Sequence, residues 1–115
     1  MIYKQGDIVV VPFPFTDLSQ QKRRPALVVS NDTVNTTGDY LLAQITSRNK
    51  QDDLSVAIAD SDYRGNQLPV TSYVRVHKLF CLSQSLIEKK VSATTKGFIE
   101  QINQNINTIL SPLTN

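Results

Sequence analysis

The chain has 115 residues, a length that predicts one domain over 1–115 with a single core and no need of staples. Apolar residues make up 40% of it, as in an ordinary globular protein, and its single cysteine, Cys81, excludes an intrachain disulfide. The net charge of +2 singles out no partner, so the places where charge gathers matter more than the sum. No apolar run has the length of a membrane span, and "MIYKQGDIVV" lacks the layout of a signal peptide, so the expected setting is the cytoplasm, away from membranes.

In chain order, "GDIVVVPF" (6–13) is a continuous valine-rich run, the pattern of a strand buried on both faces. Pro12 and Pro14 cannot donate ladder hydrogen bonds and place its end near a sheet edge. "FTDLSQQKRR" (15–24) is polar and loop-sized, and "PALVVS" (25–30) predicts a second strand with Pro25 at its first position. "NDTVNTTG" (31–38) is a turn region with room for one helical turn, and "DYLLAQITS" (39–47) predicts a third strand. "LSVAIA" (54–59) alternates as a fourth, and "DSDYRGNQL" (60–68) is a loop. "SYVRVHKLFCL" (72–82) alternates as a fifth strand, with Tyr73, Arg75, His77 and Leu79 on one face and Val74, Val76, Lys78 and Phe80 on the other. A short helical turn fits 83–90. In the tail, Phe98, Ile99, Ile102, Ile106, Ile109 and Leu110 form one stripe of an α-helix that Thr94 or Thr95 caps and Pro112 follows. Five or six short strands with a terminal helix predict a mainly β chain, a strongly curved antiparallel sheet approaching an SH3-like barrel.

Three clusters could carry chemistry. In "KRRPALVVS" (22–30), cations crowd the mouth of an apolar strand. Arginine offers a planar fork of donors that fits phosphate oxygens. A residue before proline is held extended, so Arg24 would project its guanidinium from a rigid strand start, a placement suited to preorganised charge stabilisation. From spacing alone, a solvated loop charge beside a carboxylate such as Asp17 is the simpler account. In "QITSRNK" (44–50), Thr46 and Ser47 end an apolar strand beside Arg48 and Lys50, which fits a phosphate clamp and equally fits ordinary strand-end polarity. In "SYVRVHKL" (72–79), Ser72, Arg75 and His77 are candidates. His77 is the sole histidine, hence the one side chain whose ordinary pKa lies near neutrality. A lone histidine on a strand is more often structural. No metal-spaced Cys/His set and no glycine-rich phosphate loop is present, which argues against a zinc enzyme and a P-loop NTPase.

Taken together, residues 6–30, "LLAQITS" (41–47) and "SYVRVHKLFCLSQSLI" (72–87) resemble, in the same order, the PemK/MazF family of toxin endoribonucleases (mRNA interferases). The resemblance implies a compact barrel with a terminal helix, a homodimer, and cleavage of single-stranded RNA without a metal or other cofactor. It also implies an antitoxin partner whose tail fills the RNA groove. Position by position, Arg24 matches the family's catalytic arginine before proline, Thr46 its catalytic threonine, and Arg75 an arginine on the later strand that some members use. His77 stands where those members carry an aspartate, and is the expected proton carrier because arginine, with a pKa above about 12, stays protonated and has no free site for a proton. Arg23, Ser47, Arg48, Ser72 and Arg75 are the expected contacts to substrate. Two other readings stay open: a non-catalytic inhibitor on the same barrel, similar to the CcdB gyrase inhibitors, and an inactive relative that only binds a partner.

Overall fold

The computed structural model describes residues 2–13 and 22–113. Six strands form one antiparallel sheet: β1 (Asp7–Phe13), β2 (Lys22–Val28), β3 (Asp39–Thr46), β4 (Ser55–Ala57), β5 (Tyr73–Ser83) and β6 (Lys89–Ala93), in the spatial order β4-β5-β3-β2-β1-β6. A one-turn helix, α1 (Asp32–Asn35), links β2 to β3, and α2 (Lys96–Leu110) ends the fold. The sheet curls until the segment after β4 reaches the far edge. There Tyr63 bridges to Thr94, and the Arg64 N–H donates to the Ala93 carbonyl at 2.8 Å.

Alternation gives this sheet two buried faces. On one, Ile8, Leu27, Ala43, Ile45, Val74 and Val76 pack under Phe98, Ile99 and Ile102 of α2. On the other, Val9, Val11, Ala26, Val28, Tyr40 and Leu42 pack with Tyr3 and Ile87. The valine run of β1 is therefore buried on both sides, as its unbroken hydrophobicity predicts. Thr95 caps α2 by accepting from the Phe98 N–H at 3.2 Å. The apolar stripe of α2 outruns the sheet, leaving Leu110 69% exposed. Gly6, at φ 94°, immediately precedes β1, where a Cβ would meet Thr94 Oγ1 at 3.3 Å, so this position needs glycine.

Four expectations change. Strand β2 begins at Lys22, so the "KRR" cations belong to the strand rather than to a loop, and Pro25 lies inside it. Lys22, Arg23 and Arg24 pair with Phe13, Pro12 and Val11 of β1. Pairing with β3 starts only at Ala26, so Pro25 sits where β2 has one neighbour, a position that tolerates a missing donor. The remainder of that expected loop, with Asp17, lies outside the described residues. Strand β4 is shorter than 54–59, spanning Ser55–Ala57. Residues 83–90 supply a 3-10 turn at Gln84–Leu86 and the start of β6, whose strand character comes from pairing with β1. In β5, Leu79 pairs with Ala43 but Arg75 with Gln44, so Val76, His77 and Lys78 bulge out of the ladder. Three extra residues are an odd number, and the strand's faces exchange across the bulge. Val74 and Val76 lie under α2, whereas Phe80 and Leu82 join the opposite core.

Candidate active site

The face opposite α2 is apolar along most of its length and polar at one end. Along β2, Ala26 and Val28 are buried on this face. Strand alternation therefore puts Arg24 and Lys22 on it too, both exposed. Along β3, Leu42 is buried on the same face, and Gln44 and Thr46 follow at alternate positions. Ala26 pairs with Gln44. Continued by two residues, that register sets Arg24 opposite Thr46, just past the point where the two strands stop pairing. Thr46 in turn pairs with Tyr73, and Gln44 with Arg75, on β5. Ser55 of β4 pairs with Arg75 from the other side. Arg24, Thr46, Tyr73 and Arg75 thus share one face at one end of the sheet, where β2 and β3 part.

The Thr46 hydroxyl is already oriented. Its Oγ1 accepts from the Arg48 N–H at 3.2 Å, which leaves the hydroxyl proton available to a ligand oxygen. Ser47 and Arg48 are exposed in the turn that follows. Among the described residues no carboxylate pairs with Arg24 or Arg48.

Arg75 is buried, at 9% exposure, and engaged. Its Nη1 donates to both carboxylate oxygens of Asp52, at 3.0 and 2.9 Å, and to Ser55 Oγ at 2.6 Å. Its Nη2 lies 3.4 Å from His77 Nε2. Burial, then the positive charges of Arg75 and Lys78, push the imidazole of His77 below its ordinary range, against a weaker opposing pull from Asp52. The hydrogen bond from Arg75 leads the causes that hold the Asp52 carboxyl below the usual carboxylate range. Near neutral pH the cluster is therefore a cation paired with a carboxylate, next to an uncharged imidazole.

Two expected substrate contacts are not brought to this face. Arg23 alternates to the other side of β2, where its Nε donates to Glu88 Oε1. Ser72 precedes Tyr73 on β5 and so faces the opposite way; it is buried, and its hydroxyl donates to the Val70 carbonyl at 2.9 Å. Conversely, Lys22, Gln44, Tyr73, Asp52 and Ser55 lie on this face or contact Arg75 there without having been singled out. Reading β2 as a strand from Lys22 would have paired Lys22 with Arg24, two apart. The contact from Asp52 to Arg75 spans 23 residues and leaves no local signal. Among the described residues no three His, Cys, Asp or Glu side chains are placed to hold a metal ion, and no helix is long and apolar enough to cross a membrane.

Solved structures share this fold at low sequence identity. An endoribonuclease in complex with its cognate antitoxin, from a mycobacterial species, superposes with a TM-score of 0.77 at 22% identity, over 97% of this chain and 99% of that one. MazF of Deinococcus radiodurans gives 0.75 at 22% identity, over 96% and 97%. MazE-MazF from the same organism gives 0.73 at 21%, over 98% and 99%. Comparison with curated proteins returns no match. The model of the PemK-like, MazF-like toxins of type II toxin–antitoxin systems matches residues 4–110. With nearly the whole chain matched and the same curled sheet and terminal helix, this protein belongs to the PemK/MazF-like family of type II toxins.

Proposed function

We propose that this toxin is an endoribonuclease that cleaves single-stranded RNA by transesterification, with no metal in the chemical step. The observation that carries the reading is the placement of Arg24 and Thr46, on one face and in facing register, at the mouth where β2 and β3 separate. A phosphodiester seated there meets a guanidinium and a hydroxyl donor together. The ribose 2′-oxygen attacks the adjacent phosphorus as its proton leaves to a base. The 5′-oxygen departs and takes up a proton, leaving a 2′,3′-cyclic phosphate. Arg24 stabilises the charge growing on the phosphoryl oxygens, and Thr46 donates to the same group. His77, neutral near physiological pH, is the base assigned to the 2′-hydroxyl. Lys22, Ser47 and Arg48 line the flanking backbone path, and Arg75 adds positive charge to its floor.

By the same reading the protein is a cytoplasmic homodimer inhibited by a cognate antitoxin. Support comes from two of the similar structures, one an endoribonuclease with its cognate antitoxin and one a MazE-MazF complex. An inhibitor that binds a protein target has no use for a fixed arginine–threonine pair at a strand mouth.

The test is incubation of the purified protein with mixed-sequence RNA in EDTA, followed by end-group analysis. Cleavage leaving cyclic phosphate ends, with resistant DNA of the same sequence, is the expected result. Cleavage that stops in EDTA, equal cleavage of DNA, or no cleavage by folded protein would each overturn the reading.

A further inference from the structure

Asp52 lies on the segment between β3 and β4, outside the strands that build the site's face. We propose that Asp52 is a positioning residue that, through Arg75, holds the neutral His77 ring in its Nδ1–H form with Nε2 turned to the guanidinium. This rests on the reading of His77 as the proton carrier and names what sets its state.

The geometry runs in one direction. Three contacts converge on a single nitrogen, Arg75 Nη1: two from the Asp52 carboxylate and one from Ser55 Oγ. They fix the orientation of a planar, buried group. The other terminal nitrogen, Nη2, then faces His77 Nε2 at 3.4 Å. A guanidinium has donors and no acceptor, so Nε2 must present its lone pair and the ring proton resides on Nδ1. Nδ1 is buried and meets no partner among the described residues, so no hydrogen bond on that side selects the tautomer. The selection comes from Arg75, and Arg75 is held by Asp52. The charged groups that act on the ring are Arg75 and Lys78 from β5 and Asp52 from the segment before β4. A proton added at Nε2 would set two N–H groups against each other. The basic nitrogen is therefore covered by Nη2 at rest.

His77 is the single histidine of the chain, so a nitrogen-15-labelled sample gives one imidazole spin system. Long-range proton–nitrogen correlation spectra distinguish the two neutral tautomers directly and need no substrate. The full-length protein above its imidazole titration is expected to show Nδ1–H, whereas a free imidazole in water favours Nε2–H. Asp52→Asn keeps an acceptor oxygen for Nη1 and preserves the tautomer. Asp52→Ala removes the anchor and shifts the ring toward Nε2–H. An Nε2–H ring in the unaltered protein would overturn the proposal, as would a folded Asp52→Ala protein with an unchanged tautomer. If Asp52→Ala fails to fold, Asp52→Ser, too short to reach Nη1, takes its place with the same expected shift and the same overturning result. Because the spectra read the ring itself, an Nδ1–H signature in a protein that cuts no RNA would overturn the proposed function and leave this assignment standing.

Discussion

Arg23 and Arg24 are adjacent in the chain and opposite in the fold. Arg23 crosses β1 to an ion pair with Glu88, whereas Arg24, with no ion pair among the described residues, stands on the face that carries Thr46. The same contrast holds for whole faces of the sheet. One is sealed by Phe98, Ile99 and Ile102 of α2, and the other ends in an open cluster of polar side chains. A period of two thus sends the side chains of one basic tripeptide to opposite sides of β2.

The largest expected effect comes from deleting the open-face arginine. Arg24→Ala should lower RNA cleavage by about a hundred- to a thousandfold, the usual loss for one preorganised donor. Its melting curve should stay in place, since the side chain is exposed. Near-normal turnover in that variant would erase the difference between the two arginines. On the sealed face the reverse pattern is expected. Ile102 is fully buried under the sheet, and Ile102→Ala should cost about 2–5 kcal/mol of stability, read by urea unfolding. The fraction that remains folded should cleave normally.

These contrasts also mark how far the sequence could be read. The valine run of β1, the apolar stretch of β3 and the stripe of α2 were legible because each declares itself within a few residues. Arg24 and Thr46 were singled out through the family resemblance, with spacing alone favouring a bland account of both. That Arg23 and Ser72 point away from the Arg24–Thr46 face could not be read: without the exact strand start and register, the face of a residue is undetermined, and a shift of one residue reverses it. The three-residue bulge in β5 had no sequence mark, because "VHK" continues the alternation on either side of it. Nothing local in "QDD" (51–53) marks Asp52, since its partner Arg75 comes close through folding alone. Strand β6 was missed because "KKVSA" is short and opens on two lysines; β1 makes it a strand.

A change of pH tests the open face at an intermediate scale. The imidazole of His77 sits below its ordinary value of 6.5 in the folded chain. Cleavage should therefore hold as pH falls through 6.5 and decline only at lower pH, as the base becomes protonated. Folding stability follows the same window. Between the folded and the ordinary value the unfolded chain binds more protons, so stability should rise with pH there. Titrations of unfolding and of cleavage both read this shift. An acid limb at or above 6.5 would remove His77 from the role of base. The chain's one histidine lies on the open side, so the sealed face supplies no imidazole to this dependence.

The smallest effect belongs to the other arginine. The Arg23 side chain is 68% exposed and that of Glu88 33% exposed, so their ion pair lies largely in solvent. Exposed pairs contribute about 0.2–1 kcal/mol, because water screens the attraction and two flexible side chains must be held still. Arg23→Ala should therefore lower stability within that range, and Glu88→Ala should lower it by a similar amount. The double variant should cost less than the two single losses together, since both remove one interaction. Cleavage should change by no more than about twofold, through loss of one distant positive charge. A drop in Arg23→Ala turnover comparable to that of Arg24→Ala would mean that substrate reaches both sides of β2, and the division of the tripeptide between two faces would no longer explain the site.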